Sequence, residues 1–200
     1  MSKQYFENNP NLRKNEHKIT LYYKQYLIDL TSDAGVFSKN TVDYGTNALL
    51  KSLVIAPHVK HILDVGCGYG PIGIAIAKDN PDALVDMIDV NERALELAKR
   101  NLVHNNITNA NVFLSYAFQN VTKMYDLIVT NPPIRAGKKV VHEIFEGAFD
   151  HLNDKGELWV VIRKAQGAPS ALEKIKTLFG KVNIVNRDKG YYIIQAIKNL

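Results

Sequence analysis

A polar amide and two prolines follow the apolar run that ends at Thr130, in the order Asn131-Pro132-Pro133-Ile134. Proline has no backbone N–H and a fixed φ, so the carbonyl oxygens of Asn131 and Pro132 are left free to accept hydrogen bonds from a ligand. The Asn131 side chain adds one more acceptor. Two acceptors on the two N–H bonds of a conjugated amine would direct its lone pair toward an electrophile. The pattern predicts a loop that binds the amine of a nucleobase or a carboxamide; an ordinary Pro-Pro turn after a strand is the alternative.

A glycine-rich segment follows another apolar run, at Asp64-Val65-Gly66-Cys67-Gly68-Tyr69-Gly70. Glycines let a ligand approach the backbone closely, and Pro71 suits the first turn of a helix. Together with Gly73, these glycines also fit the G-x-G-x-x-G pattern of dinucleotide-binding proteins, so an NAD oxidoreductase is an alternative. Asp64 argues against a pyrophosphate ligand, because a carboxylate repels phosphate and suits a cation. S-adenosylmethionine carries an ammonium and a sulfonium group, and we expect this segment to bind it.

A further strand-like run, from Ala83 to Val90, places Asp89 at roughly the separation from the glycines at which an acid binds ribose hydroxyls. Asn91 would then cap the helix that follows. An NAD enzyme uses the same acid, so Asp89 does not distinguish the cofactors, and a helix-capping carboxylate is a second interpretation of it. Asp64 and the Asn-Pro-Pro-Ile segment together favour methyl transfer.

These segments, with Thr31 to Ser38 and Val42-Asp43-Tyr44-Gly45 upstream, resemble the class I methyltransferases that act on guanine in small-subunit ribosomal RNA. The resemblance extends from about residue 17 to the C-terminus. It implies that S-adenosylmethionine is held by Asp64, Gly66, Cys67, Gly68, Gly70, Asp89 and Val90, with Phe37 and Ser38 at its methionine end. It also implies that the amine is presented by the catalytic residues Asn131, Pro132, Pro133 and Ile134.

One position departs from this family. After the third strand of the sheet, such enzymes usually place an acid against the adenine amine, but Ser115 and Tyr116 stand here. We therefore expect Ser115, backbone groups and stacking to recognise the adenine. Relatives of this kind in Gram-negative bacteria carry two such domains in tandem, and we expect one in this chain.

Two segments just past predicted strand ends are basic and free of acids. They contain Arg135, Lys138 and Lys139 after the fourth strand of the sheet, and Arg163 and Lys164 after the fifth. In an open α/β sheet, ligands bind outside the carboxyl ends of the strands. These cations would form a positive rim whose partner is RNA, in agreement with a formal charge of +5 and an isoelectric point near 9.1.

Apolar periodicity predicts an α/β protein in which strands and helices alternate, which indicates a parallel sheet with helices on both faces. The predicted strands are Lys18–Tyr23 and Tyr26–Leu30 as a hairpin, then 60–65, 84–89, 111–115, 126–130, 157–162, 182–186 and 191–196. The predicted helices are 41–53, 72–79, 92–104, one with the apolar face 141–152, and one from a capping box at Ser170 and Glu173 to about Gly180. The resemblance implies a Rossmann-like, mostly parallel seven-stranded sheet, whose last two strands form an antiparallel hairpin with a turn at 187–190.

The chain of 200 residues with 46% hydrophobic content can bury a sizeable core. We expect a polar N-terminal segment at 1–16 and one methyltransferase domain at 17–200, with the hairpin and first helix at 17–55 and the cofactor-binding core at 56–200. A single cysteine and the lack of zinc-type spacing predict a reducing compartment and no metal. No signal peptide or membrane span is evident, so a cytoplasmic protein is expected.

The function predicted from all of these features is S-adenosylmethionine-dependent methylation of the exocyclic amine of a guanine in 16S rRNA. His142 and His151 are not expected to act as catalysts, because sulfonium methyl transfer needs no strong base before attack. Three alternatives remain: methylation of a protein glutamine carboxamide, methylation of an adenine amine, and a module that binds the cofactor or RNA without turnover.

Overall fold

The computed structural model describes residues 15–34, 36 and 41–199. The strands are β1 (Glu16–Tyr23), β2 (Tyr26–Asp33), β3 (His61–Val65), β4 (Leu84–Asp89), β5 (Ala110–Leu114), β6 (Tyr125–Thr130), β7 (Leu152–Arg163), β8 (Lys181–Asp188) and β9 (Tyr191–Ile197). The α helices are α1 (Tyr44–Ser52), α2 (Pro71–Asp79), α3 (Glu92–His104), α4 (Lys138–His151) and α5 (Ala168–Leu178).

Seven strands form one sheet in the order β5-β4-β3-β6-β7-β9-β8. All neighbours pair in parallel except β9, which runs antiparallel to both β7 and β8. Alternate strand residues enter two apolar cores, with Ile62 and Leu127 on one face and Leu63 and Ile128 on the other. The predicted Rossmann-like fold with an antiparallel C-terminal hairpin is confirmed.

The β1–β2 hairpin lies outside this sheet and packs on α3. Asn101 in the last turns of α3 and Asn105, the residue just after its end, both exchange hydrogen bonds with the backbone of β2. Asn101 bonds the N–H and carbonyl of Thr31, and Asn105 bonds those of Asp29. Each amide satisfies one donor and one acceptor, as a neighbouring strand would. The hairpin is therefore fixed relative to the elements around the carboxyl ends of the strands.

β7 begins at Leu152 instead of residue 157, β2 ends at Asp33 instead of Leu30, and three further local predictions also differ from the structure. The capping box at Ser170 is wrong: α5 begins at Ala168, after Gly167 with φ 104°, and no side chain caps it. The helix predicted from Thr41 begins at Tyr44, because Asp43 is extended and caps it. The predicted four-residue turn is a two-residue loop at Lys189 and Gly190, whose φ values of 43° and 79° suit a tight hairpin.

Among the described residues, no helix combines the length and apolar character that a membrane span requires.

Candidate active site

A cavity of about 500 Å³ opens at the carboxyl ends of β3, β4 and β6, where the fold class places its ligands. The predicted site residues that line it are Gly66, Cys67, Gly68, Asp89, Val90, Ser115, Tyr116, Asn131, Pro132, Pro133, Ile134 and Arg135. Asp64, Gly70, Lys138, Lys139, Arg163 and Lys164 do not line it, and Phe37 and Ser38 lie outside the described residues.

The glycine loop, Gly66–Gly70, forms one wall. Gly66 and Gly68 have φ of 73° and 57°, a left-handed conformation that favours glycine. The N–H groups of Gly66 and Cys67 donate to the Ile88 carbonyl at 2.8 and 2.9 Å, and that of Gly68 donates to Asp89 at 2.8 Å. A loop that binds pyrophosphate presents free N–H groups to it. These N–H groups are already used, which favours a cationic ligand over a dinucleotide.

Asp64 lies behind the glycine loop and is fully buried. One carboxylate oxygen accepts from the N–H of Gly73 at 2.9 Å, and within the described residues the other has no hydrogen-bond partner. Burial raises the pKa of Asp64, the Gly73 bond opposes this shift, the nearby Asp89 adds to it, and the resulting pKa is about 7. Asp64 does not line the cavity, and its predicted role in holding the cofactor stays a prediction. Its carboxylate accepts from an N–H in the first turn of α2, a position at which an anion could otherwise bind.

Asp89 ends β4 at the cavity wall and braces the loops on either side of it. Its carboxylate accepts from the N–H of Gly68 at 2.8 Å and from the N–H of Asn91 at 2.9 Å. Burial raises the pKa of Asp89, and these hydrogen bonds oppose the shift. Asn91, not Asp89, caps α3 by accepting from the N–H of Ala94, which confirms the predicted cap.

Asn131 is oriented by two side chains at the start of α1. Its side-chain nitrogen donates to a carboxylate oxygen of Asp43 and to the hydroxyl oxygen of Thr46, both at 3.1 Å. Because a carboxylate can only accept, these partners fix which end of the amide is nitrogen. The amide oxygen is left as the acceptor. Both partners line the cavity, and sequence reasoning had assigned neither a role, although Asp43 belongs to the Val42-Asp43-Tyr44-Gly45 segment.

The Pro132 carbonyl is less free than the sequence predicts. It accepts from the N–H of Ile134 at 2.8 Å, because the chain turns back tightly at Pro133. The Pro133 carbonyl likewise accepts from Ala136 at 2.9 Å. A carbonyl oxygen has two lone pairs, so Pro132 retains capacity for one further donor. The turn fixes the direction of that remaining acceptor.

Ser115 and Tyr116 are placed differently from one another. The Ser115 hydroxyl donates to the Ala117 carbonyl at 2.8 Å and accepts from Asn120, so its proton is used within its own loop. The Tyr116 ring is 44% exposed, and its hydroxyl donates to Glu143 of α4 at 3.1 Å. This hydrogen bond raises the pKa of Tyr116. Both residues line the cavity, and the predicted recognition of adenine by Ser115, backbone groups and stacking stays a prediction. The Tyr116 ring is available for packing.

The five predicted RNA-binding cations are all exposed. Lys139 lies 3.9 Å from Glu143, and the other four make no ion pair with any described residue. Arg135 lines the cavity. Lys138 and Lys139 begin α4, which follows β6, and Arg163 and Lys164 stand at the carboxyl end of β7. Tyr191 of β9 also lines the cavity, which sequence reasoning did not predict because it treated that tyrosine as a residue of an ordinary strand.

Cys67, His142 and His151 are not placed for catalysis. Burial raises the pKa of the Cys67 thiol well above its usual value. The His151 ring stacks on Phe118 and lies within hydrogen-bond distance of two carbonyls, and neither histidine lines the cavity. The described residues contain no group of three or more His, Cys, Asp or Glu side chains that could hold a metal.

A family model described as the methyltransferase small domain matches residues 27–195. A Bacillus subtilis (strain 168) protein named uncharacterized protein YbxB is 49% identical over 200 residues, which cover 99% of this chain and 100% of that protein. Ribosomal RNA small subunit methyltransferase C of Escherichia coli is 30% identical over 184 residues, covering 88% of this chain and 52% of the relative. The chain thus spans about half the length of that relative.

A solved structure with the same fold is that of a T. thermophilus 16S rRNA N2 guanine methyltransferase in complex with AdoMet and guanosine. The two structures superpose with a TM-score of 0.83 at 23% sequence identity, over 95% of this chain and 52% of the other.

Proposed function

Because this chain belongs to the methyltransferase small domain family, which makes it an S-adenosylmethionine-dependent methyltransferase, we propose that its acceptor is the exocyclic amine of a guanine in 16S rRNA. The single observation that carries the proposal is the orientation of Asn131. Its amide oxygen is left as an acceptor, and the carbonyl of the next residue, Pro132, retains one lone pair. An exocyclic amine has two N–H bonds, one for each of these acceptors.

The residues of the cavity fit S-adenosylmethionine. When bound, this cofactor supplies a methyl group activated by a positive sulfur. The Gly66–Gly70 loop and Asp89 would hold its methionine and ribose portions, and the Tyr116 ring would pack on its adenine. A cavity of about 500 Å³ lies within the range of sites that take molecules of this size. The Asp89 carboxylate at the cavity wall suits a cation.

Asn131 and Pro132 act by position. The lone pair of a guanine amine is delocalised into the ring, so the amine is a poor nucleophile. Hydrogen bonds to both N–H groups would hold the nitrogen with its lone pair toward the methyl group, and Ile134 would pack against the base. After methylation the nitrogen is acidic and loses its proton to water. No residue is therefore required as a strong base before attack.

A base-paired guanine must leave its helix to enter the cavity, at a cost of about a few kcal/mol, and an unpaired guanine at less. The positive rim of Arg135, Lys138, Lys139, Arg163 and Lys164 would bind the phosphates on either side of the extruded nucleotide. The E. coli relative, a small-subunit rRNA methyltransferase, supports an RNA substrate. Small subunits as the substrate would place the protein in the cytoplasm, as expected from its sequence.

Transfer of radiolabelled methyl groups from S-adenosylmethionine tests the proposal. The acceptors are small ribosomal subunits that lack the modification, naked 16S rRNA and a peptide release factor, and the labelled product is digested to nucleosides or amino acids. We expect label in a methylguanosine. Label in methyladenosine would show that the acceptor is an adenine amine, and label only in glutamine of the release factor would show that it is a protein carboxamide.

The variant Asn131→Ala tests the role of this side chain in the same assay. It removes the acceptor oxygen of the side chain, and we expect it to abolish labelling while the dissociation constant for S-adenosylmethionine stays nearly unchanged. Loss of both together would refute the role assigned to Asn131.

A further inference from the structure

The tip of the β8–β9 hairpin is anchored against the start of α1, beside Asn131. The hydroxyl of Tyr44 donates to Asp188 at the end of β8. The rings of Tyr44 and Tyr191 lie 5.7 Å apart between centroids. Gly45 makes this approach possible, since a Cβ at that position would lie 2.9 Å from the Tyr191 ring. The two tyrosines therefore form one aromatic surface that begins in the cavity, at Tyr191, and continues outward to Tyr44.

Two cations lie on this aromatic surface. The Arg163 guanidinium is 5.8 Å from the centre of the Tyr191 ring, and the Lys189 ammonium is 4.7 Å from that of Tyr44. Both are exposed, and neither forms an ion pair within the part of the chain that the structure describes. The one acid at this tip, Asp188, accepts from Tyr44. We define Tyr44, Arg163, Lys189 and Tyr191 as the hairpin platform.

Aromatic rings interleaved with unpaired cations are the combination with which proteins bind single-stranded nucleic acid, by stacking bases and contacting phosphates. The other side of the cavity differs. Arg135, Lys138 and Lys139 supply cations there, and the aromatic side chain at that part of the cavity, Tyr116, is assigned above to the adenine of the cofactor. A nucleotide that leaves the cavity thus has stacking partners with accompanying cations on the hairpin side.

We propose that the hairpin platform binds the nucleotide adjacent to the methylated one, with its base packed against the Arg163 guanidinium, which lies over the Tyr191 ring, and its phosphate held by Lys189. This inference rests on the proposed function, from which it takes RNA as the substrate. It adds the surface that binds the neighbouring nucleotide. Because Tyr191 lines the cavity, the platform would also fix where the strand enters it. The platform selects for unpaired RNA around the target, since a base in a duplex has no free face for stacking.

Fluorescence anisotropy of a labelled single-stranded oligoribonucleotide of about ten nucleotides, titrated with the full chain and S-adenosylhomocysteine, tests the platform. The paired variants are Tyr191→Leu, which removes the ring, and Tyr191→Phe, which keeps it. A second pair is Lys189→Glu and Lys60→Glu, since the exposed Lys60 directly precedes β3 at the opposite edge of the sheet. Calorimetric affinity for S-adenosylmethionine is measured on each variant to monitor the fold of the cavity.

We expect Tyr191→Leu and Lys189→Glu each to weaken oligonucleotide binding about tenfold or more, and Tyr191→Phe and Lys60→Glu to stay within about twofold of the unmodified chain. Equal affinity for RNA across either pair overturns the proposal. So does a loss of cofactor affinity that matches the loss of RNA affinity, because the residues would then be structural.

The methyl-transfer assay separates this inference from the proposed function. Methylguanosine formed by the unmodified chain, with unchanged RNA affinity in Tyr191→Leu and Lys189→Glu, refutes only the platform. Weakened RNA affinity in both variants without any methylguanosine supports the platform as an RNA surface and refutes only the target. Unchanged RNA affinity combined with impaired labelling of a release factor would assign the platform to a protein substrate instead.

Discussion

The side-chain nitrogen of Asn131 lies 3.1 Å from a carboxylate oxygen of Asp43, although 88 positions separate the two residues. The other carboxylate oxygen of Asp43 accepts from the N–H of Gly45 at 2.8 Å and so caps α1. One carboxylate thus holds the start of a helix and sets the orientation of the amide that would receive the substrate amine.

Because of this double role, we expect the variant Asp43→Ser to lose methyl-transfer activity while its stability stays nearly unchanged. Serine caps a helix about as well as aspartate, so the free energy of unfolding should change by less than about 1 kcal/mol. Its short hydroxyl would not reach Asn131, and we expect methyl transfer at saturating cofactor to fall by about tenfold or more. Urea denaturation and single-turnover labelling measure the two effects. Unchanged turnover would show that Thr46 alone suffices to orient Asn131.

Asp89→Ala should weaken S-adenosylmethionine binding by about tenfold or more, because it removes a buried acceptor for ribose and the brace of the Gly68 N–H. Asp82→Ala is the matched control, since it removes an exposed carboxylate near the other end of β4. Calorimetric titration compares them. An unchanged dissociation constant for Asp89→Ala would remove this residue from the ribose site.

Asp64 predicts a dependence of stability on pH. Its pKa of about 7 in the folded protein exceeds the unfolded value of 3.8, so the folded state binds the additional proton between these values. The resulting contribution to stability is complete below about pH 4 and is lost as the pH rises to about 7. Without cofactor, the free energy of unfolding should fall by roughly 1 to 3 kcal/mol more in the unmodified chain than in Asp64→Asn between about pH 5 and about pH 8. Parallel pH profiles from urea denaturation would contradict the assignment.

Asn101, in α3, and Asn105, which directly follows it, offer a matched pair of variants. Both bond the backbone of β2, but only Asn101 also donates to the Tyr69 carbonyl of the glycine loop, at 2.9 Å. Asn101→Ala and Asn105→Ala should each reduce the free energy of unfolding by about 1 to 3 kcal/mol, since each leaves backbone groups of β2 unpaired. Only Asn101→Ala should also lower cofactor affinity, measured by calorimetry under conditions where both variants remain folded. Equal cofactor affinity would show that the Tyr69 bond does not support the loop.

We expect the Tyr116 ring to pack on the adenine of the cofactor, with no hydrogen bond from its hydroxyl to the adenine. Tyr116→Phe removes only the bond to Glu143 and should change the dissociation constant for S-adenosylmethionine by less than about threefold. Tyr116→Ala removes the ring and should raise it by about tenfold. A large loss with phenylalanine would mean that the hydroxyl and Glu143 take part in binding directly.

Local sequence predicted the parts of the candidate site that lie at strand ends. The glycine loop, Asp89 and Asn131 each directly follow or end a buried strand, and their patterns are short. The capping box predicted at Ser170 was wrong because other local residues decide where that helix begins. Gly167 and Pro169 start the helix earlier, so Ser170 lies in its first turn and not ahead of it.

The sequence by itself determined that the glycine loop, Asp89 and Asn131 reach one cavity, because the carboxyl ends of parallel strands meet at one edge of a sheet wherever they stand in the chain. Only the tertiary structure decided which other residues join them and which of these groups remain free to bind. The side-chain nitrogen of Asn131 donates to Asp43, the Gly73 N–H donates to one oxygen of Asp64, and Tyr191 reaches the cavity from the last strand. Such hydrogen bonds and contacts join residues distant in the chain, and no periodicity or spacing encodes them.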